Sequence, residues 1–176
     1  MELEIRKISS DVVLGSFDCG IQSINNLIFH SYYSTLLHQG FAFCVSNDHD
    51  IIAYYMLKFV NVDISICPDE ISEYYDDSFD PHLCAVNIEY IAVDKKYQGC
   101  HLGTYILQQI ITDIHELCEY WPVRLITLDA LTTKINWYKT FGFKEFKPND
   151  DSSSTVRMYI DCAQRNLIQS YVSTFC

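Results

Sequence analysis

The stretch from Ala85 to Ile111 constrains the fold more than any other part of the 176-residue chain. Ala85 to Val93 is apolar and β-branched, interrupted only by Asn87, Glu89 and Tyr90, and predicts a buried strand. Asp94 to Tyr97 forms a polar turn. Gln98-Gly99-Cys100-His101-Leu102-Gly103 leads from it straight into a helix. Leu102, Ile106, Ile110, Ile114 and Leu117 keep one apolar stripe through that helix. A glycine-bearing turn allows close approach of backbone to a ligand. The helix start adds unpaired N–H groups and the positive end of the dipole, a combination that suits phosphate. The spacing matches neither a dinucleotide fingerprint nor a P-loop.

Composition narrows the alternatives. A chain of this length builds one compact core, and 49% apolar residues argue against disorder. We read residues 1–176 as a single domain. No apolar run approaches the ~20 residues of a membrane span. The N-terminus, MELEIRKISSD, is not patterned as a signal peptide, which places the protein in the cytoplasm. The eight cysteines contain no Cys-x-x-Cys pair, so neither a zinc site nor a disulfide framework is indicated. Twelve basic against twenty-three acidic residues give a net charge of −11, which disfavours nucleic acid and anionic membrane as partners.

Around the central unit, Leu3–Ile8 reads as a first strand. Ile21, Ile24, Leu27 and Ile28 form the face of a helix that Asp18 could cap, and Ser31–His38 is a second helical piece. Phe41–Val45 and Ile51–Val62 form a hairpin around Ser46–Asp50. The acidic, aromatic segment Pro68–Pro81 reads mainly as a loop. Val123–Asp129 is a strand, and Thr132–Phe141 a short helix stopped by Gly142. Phe143–Phe146 and Thr155–Asp161 make a second hairpin, followed by a terminal helix within Cys162–Cys176.

Two motifs carry a family resemblance. Gln98-x-x-His101-x-Gly103 resembles the acetyl-CoA-binding turn of the GNAT superfamily of N-acetyltransferases. Tyr138-Lys139-Thr140-Phe141-Gly142-Phe143 is similar to that family's second signature, a Tyr followed by Gly-Phe. His101 stands where the family usually has glycine, and Leu131 where it commonly has asparagine, with Thr132, Thr133 and Asn136 close by. Phe17-Asp18-Cys19-Gly20, followed by Ile24 and Leu27, resembles the N-terminal region of toxin-type members.

The resemblance implies the GNAT acyl-CoA N-acyltransferase fold. This is a mixed α/β sandwich whose central, mostly antiparallel sheet splays between the fourth and fifth strands and is flanked by helices. It implies acetyl-CoA as cosubstrate, bound by Ile91, Ala92, Val93, Gln98, Gly99, Cys100, His101, Leu102, Gly103, Thr104 and Tyr138. It makes Tyr138 the general acid toward the leaving thiolate and Glu89 a candidate general base. No metal is needed. The acceptor is an amine of a small molecule or protein, attracted by the carboxylates of Pro68–Pro81, which in this family borders the acceptor site. Asp129 is equally a helix cap or a ligand, and Trp137 is most simply core. Two alternatives stand beside this reading. One is a toxin-type enzyme that acetylates aminoacyl-tRNA and is held by an antitoxin, which the net charge opposes. The other is a non-catalytic acyl-CoA-binding module. Oligomeric state is left open, a homodimer included.

Overall fold

The computed structural model describes residues 3–9, 17–47, 50–73, 75, 78–147 and 154–175. The strands are β1 (Glu4–Lys7), β2 (Phe41–Ser46), β3 (Ile51–Asp63), β4 (His82–Val93), β5 (Leu125–Leu131), β6 (Lys144–Glu145) and β7 (Thr155–Asp161). The helices are α1 (Gln22–Leu36), α2 (Asp69–Ser72), α3 (Leu102–Cys118), α4 (Ile135–Lys139) and α5 (Arg165–Phe175). One sheet runs in the order β1-β2-β3-β4-β5-β7-β6. Every neighbour pair is antiparallel except β4–β5, which is parallel.

The parallel pair creates the opening around which the site is built. β4 and β5 are in register only from Ala85–Leu125 to Ile88–Leu128. β4 continues to Val93 and stays paired to β3, while β5 continues to Leu131 paired to β7. Beyond Ile88 the two strands therefore part, as the expected splay requires. The β3–β4 register also shifts there. Met56 faces Tyr90 and Leu57 faces Ile88, which leaves Glu89 as the extra residue of a β-bulge.

Alternation along the strands builds a core on each side of the sheet. Tyr55 and Ile88 pack with Leu102, Ile106, Ile110 and Ile114 of α3. Tyr54, Met56, Tyr90 and Ala92 pack with Ile28 of α1 on the other side. Leu102, Ile106, Ile110 and Ile114 of the predicted α3 stripe are buried and Leu117 is partly buried; full burial of each Leu or Ile stabilises by about 1.5–3 kcal/mol.

Two local expectations change. The residues read as two helical pieces form one helix, α1. Nothing between Gln22 and Leu36 breaks it. The mid-helix Ser31 is satisfied, because its Oγ donates to Leu27 O at 2.8 Å and meets the Tyr90 hydroxyl. Asp18 does not cap α1, whose N-cap is Ile21. Cys19, Cys44 and Cys67 are buried as small apolar residues, whereas Cys100 is exposed. The expectations for Ser16, Asp48, His49, Tyr74, Asp76, Asp77 and Cys176, and for residues 148–153, lie outside the described residues.

Candidate active site

The turn after β4 is held by a network that reaches back to the start of α1. The buried Asp94 accepts the N–H groups of Lys96 at 2.9 Å and Asp18 at 3.0 Å. Asp18 in turn accepts from Lys95 Nζ at 2.8 Å, Gly20 N–H at 2.7 Å and Asn25 Nδ2 at 2.8 Å. The Lys95 ammonium, followed by Asn25 and Gly20, pulls the Asp18 carboxyl down to about 2. Gln98 Nε2 bridges Cys19 O and Val93 O, both at 2.9 Å. The Gln98 side chain thus acts as a strut inside the turn.

The turn needs a left-handed backbone twice, at Gly99 (φ 81°) and His101 (φ 59°). Glycine adopts this conformation freely, while an L-residue is strained there by about 1–2 kcal/mol. His101 is the non-glycine residue of the turn that carries this strain. His101 is the N-cap of α3 and makes no side-chain cap, so the first N–H groups of this 17-residue helix face outward.

These N–H groups open onto a cavity of about 900 Å³ that follows the splay. Glu89, Ile91, Ala92, Val93, Gln98, Gly99, His101, Leu102, Gly103, Thr104 and Tyr138 all line it. Cys100 does not line it. Its thiol points weakly back to Gln98 O at 3.9 Å on an exposed turn. Trp137, read from sequence as core, is half-buried and lines the cavity together with Leu131, Lys134 and Asp129. Ile21, the N-cap of α1, and Ile24 and Leu27 of its predicted apolar face also reach it.

Tyr138 sits on α4 between Trp137 and Phe143, with edge-on ring centroids at 4.7 and 5.7 Å. Burial pushes its phenol up to about 12, so it keeps its proton throughout neutral pH. Gly142, at φ 92°, turns the chain after α4 and brings Phe143 under that ring. Glu89 is held from both sides. Lys58 Nζ meets its Oε1 at 3.0 Å, and Asn87 Nδ2 donates to its Oε2 at 3.3 Å. Asn87 is itself braced by Thr127 Oγ1 at 2.9 Å.

The acidic segment is elsewhere. It connects the far ends of β3 and β4, where Asp63 pairs with His82, whereas Ala53 and Val93 mark the cavity end. None of its described residues lines the cavity. Asp69 pairs with Lys147 at 2.7 Å, and Glu70 with Lys144 at 2.8 Å and the Tyr159 hydroxyl at 2.7 Å. Its placement beside an acceptor site is therefore corrected: the long β3–β4 pairing carries it away from the splay. Among the described residues, no group of His, Cys, Asp or Glu is arranged to hold a metal ion, and no helix is long and apolar enough to cross a membrane.

Residues 39–145 match the model of the acetyltransferase (GNAT) domain. The chain belongs to the GNAT acetyltransferase family. A 56-residue stretch is 39% identical to an uncharacterised N-acetyltransferase of Dictyostelium discoideum, covering 32% of this chain and 26% of that protein, so the match spans about a quarter of that relative's length. Similar solved structures include one of a bacterial toxin (TM-score 0.78, 17% identity, 97% of this chain and 95% of that one). Another is AtaT complexed with acetyl-methionyl-tRNA (TM-score 0.78, 16% identity, 96% and 99%). At these identities the likeness concerns the fold.

Proposed function

We propose that the chain is an acetyl-CoA-dependent N-acetyltransferase acting on an amine of a small molecule or protein, with direct attack in a ternary complex. As a GNAT acetyltransferase domain its chemistry is N-acetyl transfer, and acetyl-CoA is its cosubstrate. We read residues 1–176 as one such domain.

The observation that carries this reading is the convergence of the uncapped α3 start, the open edge of β4 and the Tyr138 phenol on one cavity. The residues present fit the cosubstrate. The N–H groups of Leu102, Gly103 and Thr104 and the positive helix end suit a pyrophosphate. The β4 groups left without a β5 partner, from Glu89 to Val93, suit the amides of a pantetheine arm. When bound, acetyl-CoA supplies the acetyl group as a thioester and departs as a thiol. Tyr138 holds a proton at its phenolic oxygen for that departure. Glu89, fixed by Lys58 and Asn87, holds a carboxylate beside the β4 bulge that can take a proton from the acceptor amine, directly or through water.

Tyr138→Phe tests the assignment while keeping the ring and its packing. It lowers kcat by about 10²-fold, the low end for a positioned acid, and leaves acetyl-CoA affinity within twofold. Wild-type turnover by this variant wherever chemistry limits would make Tyr138 a packing residue.

A second reading is favoured by one observation: AtaT and KacT, the latter solved as a Tyr→Phe mutant, share this fold over 96–97% of the chain. It makes the acceptor an aminoacyl-tRNA and the partner an antitoxin. A Tyr→Phe mutant of AtaT has also been solved bound to the C-terminus of the antitoxin AtaR and acetyl-CoA. The net charge of −11 opposes it. Tight, salt-sensitive binding of aminoacyl-tRNA to the purified protein would favour the toxin reading over the small-amine one.

A further inference from the structure

The last in-register rung of the parallel pair is Ile88–Leu128. The next residue on each strand is a carboxylate, Glu89 on β4 and Asp129 on β5. Both line the cavity, one on each lip of the splay. Their surroundings differ. Glu89 is engaged on both oxygens, by Lys58 and by Asn87. Asp129 is exposed to the cavity and, among the described residues, its carboxylate has no hydrogen bond or ion pair. Its cross-strand neighbour Arg157 does not neutralise it, because that guanidinium lies over the Phe146 ring at 5.6 Å from the centroid. The other charged groups lining the cavity are Lys95, held by Asp18, and Lys134, placed after the end of β5.

We infer that Asp129 is a specificity-determining residue that selects an acceptor with a second cationic group, in the manner of a diamine. This rests on the N-acetyltransferase reading and adds the substrate class. A reacting amine must become neutral before it attacks, and a free carboxylate paired to it would favour its protonated form instead. A carboxylate kept unpaired at the mouth of the reaction gap therefore best serves a cation other than the reacting nitrogen. Glu89, its charge already balanced by Lys58, is the carboxylate suited to the reacting end. The two positions divide recognition from proton handling, and the splay sets them on opposite lips.

The test uses butane-1,4-diamine and its single-amine counterpart butylamine, with product formation followed by mass. In the wild type the diamine has the higher kcat/KM, by about fivefold, the upper end for a solvent-accessible ion pair. In Asp129→Asn that ratio falls to within twofold of one, through KM and with kcat little changed. A preference that survives in Asp129→Asn overturns the inference, as does a wild type with no preference. A parallel calorimetric titration of the diamine into protein saturated with CoA separates the two claims. Binding that Asp129→Asn weakens at least fivefold supports the recognition role even if no acetyl transfer follows, in which case it is the small-amine function that fails. Absence of diamine binding to the wild type overturns the role of Asp129 whatever the turnover. CoA affinity equal to wild type shows that the variant is folded.

Discussion

At one end of β4, Asp69, Glu70 and Asp80 of the acidic segment are spent on the fold. Asp69 and Glu70 hold Lys147, Lys144 and Tyr159, and Asp80 holds the backbone and ring of His82. At the other end, Asp18 and Asp94 lock a turn whose own groups stay open, and Glu89 and Asp129 face a cavity. Both ends are acidic, yet only one has the backbone donors and free side chains that a substrate can use. The comparison teaches that a run of carboxylates in sequence says little about a site. What matters is whether neighbouring strands supply cations to satisfy them. Strand β6 and the two residues after it bring Lys144 and Lys147 to the acidic segment, and nothing among the described residues does the same for Asp129.

The strongest way to break this contrast is to fill the open turn. A β-carbon at Gly103 would sit 3.8 Å from Val93 Cγ2 and 3.9 Å from Trp137 Cζ2, ordinary contact distances, so the backbone accepts a side chain. Gly103→Glu places a negative charge at the proposed phosphate site. It is expected to weaken acetyl-CoA binding by 10²-fold or more, since like charges ~4 Å apart repel by about 4 kcal/mol at a surface dielectric. Calorimetry on a variant with native circular dichroism reads this directly. Unchanged affinity would move the cosubstrate away from α3.

Loosening the clasp comes next. Asp18→Ala removes the partner of Lys95, Gly20 and Asn25 and should raise the acetyl-CoA Kd by about tenfold by loosening the turn. The same carboxylate sets an acid limit. Its folded-state value lies below that of the unfolded chain, so its contribution to stability is complete above about pH 4. That contribution is lost as pH falls toward about 2. Acid unfolding of the wild type compared with Asp18→Asn checks the sign, because the variant lacks that component of the transition.

Smaller effects sharpen the comparison. His101→Gly releases left-handed strain, partly offset by the larger chain entropy of glycine, for a net gain of about 0.5 kcal/mol. Thermal denaturation should show a rise of about 1–2 °C. At the far end, Glu70→Gln breaks an exposed pair with Lys144. It should change stability by less than about 1 kcal/mol and leave kcat/KM unaltered. A fall in kcat/KM there would restore the acidic segment to the acceptor site.

By itself the sequence determined the central unit. The β-branched run of β4, the glycine turn and the 3.6-residue stripe of α3 are local patterns, and local geometry enforces them. The Gln98–Gly103 and Tyr138–Phe143 motifs were legible for the same reason: each lies within a few residues of chain. The tertiary structure alone decided which charges remain free. Pairing of β4 to β5 stops after one rung more than three, and that count puts Glu89 and Asp129 on facing lips. The satisfaction of Glu89 by Lys58, and of Glu70 by Lys144, joins residues 31 and 74 positions apart. Such pairings depend on strand order and register, which arise from the packing of the whole sheet and leave no mark in the spacing of the residues they join.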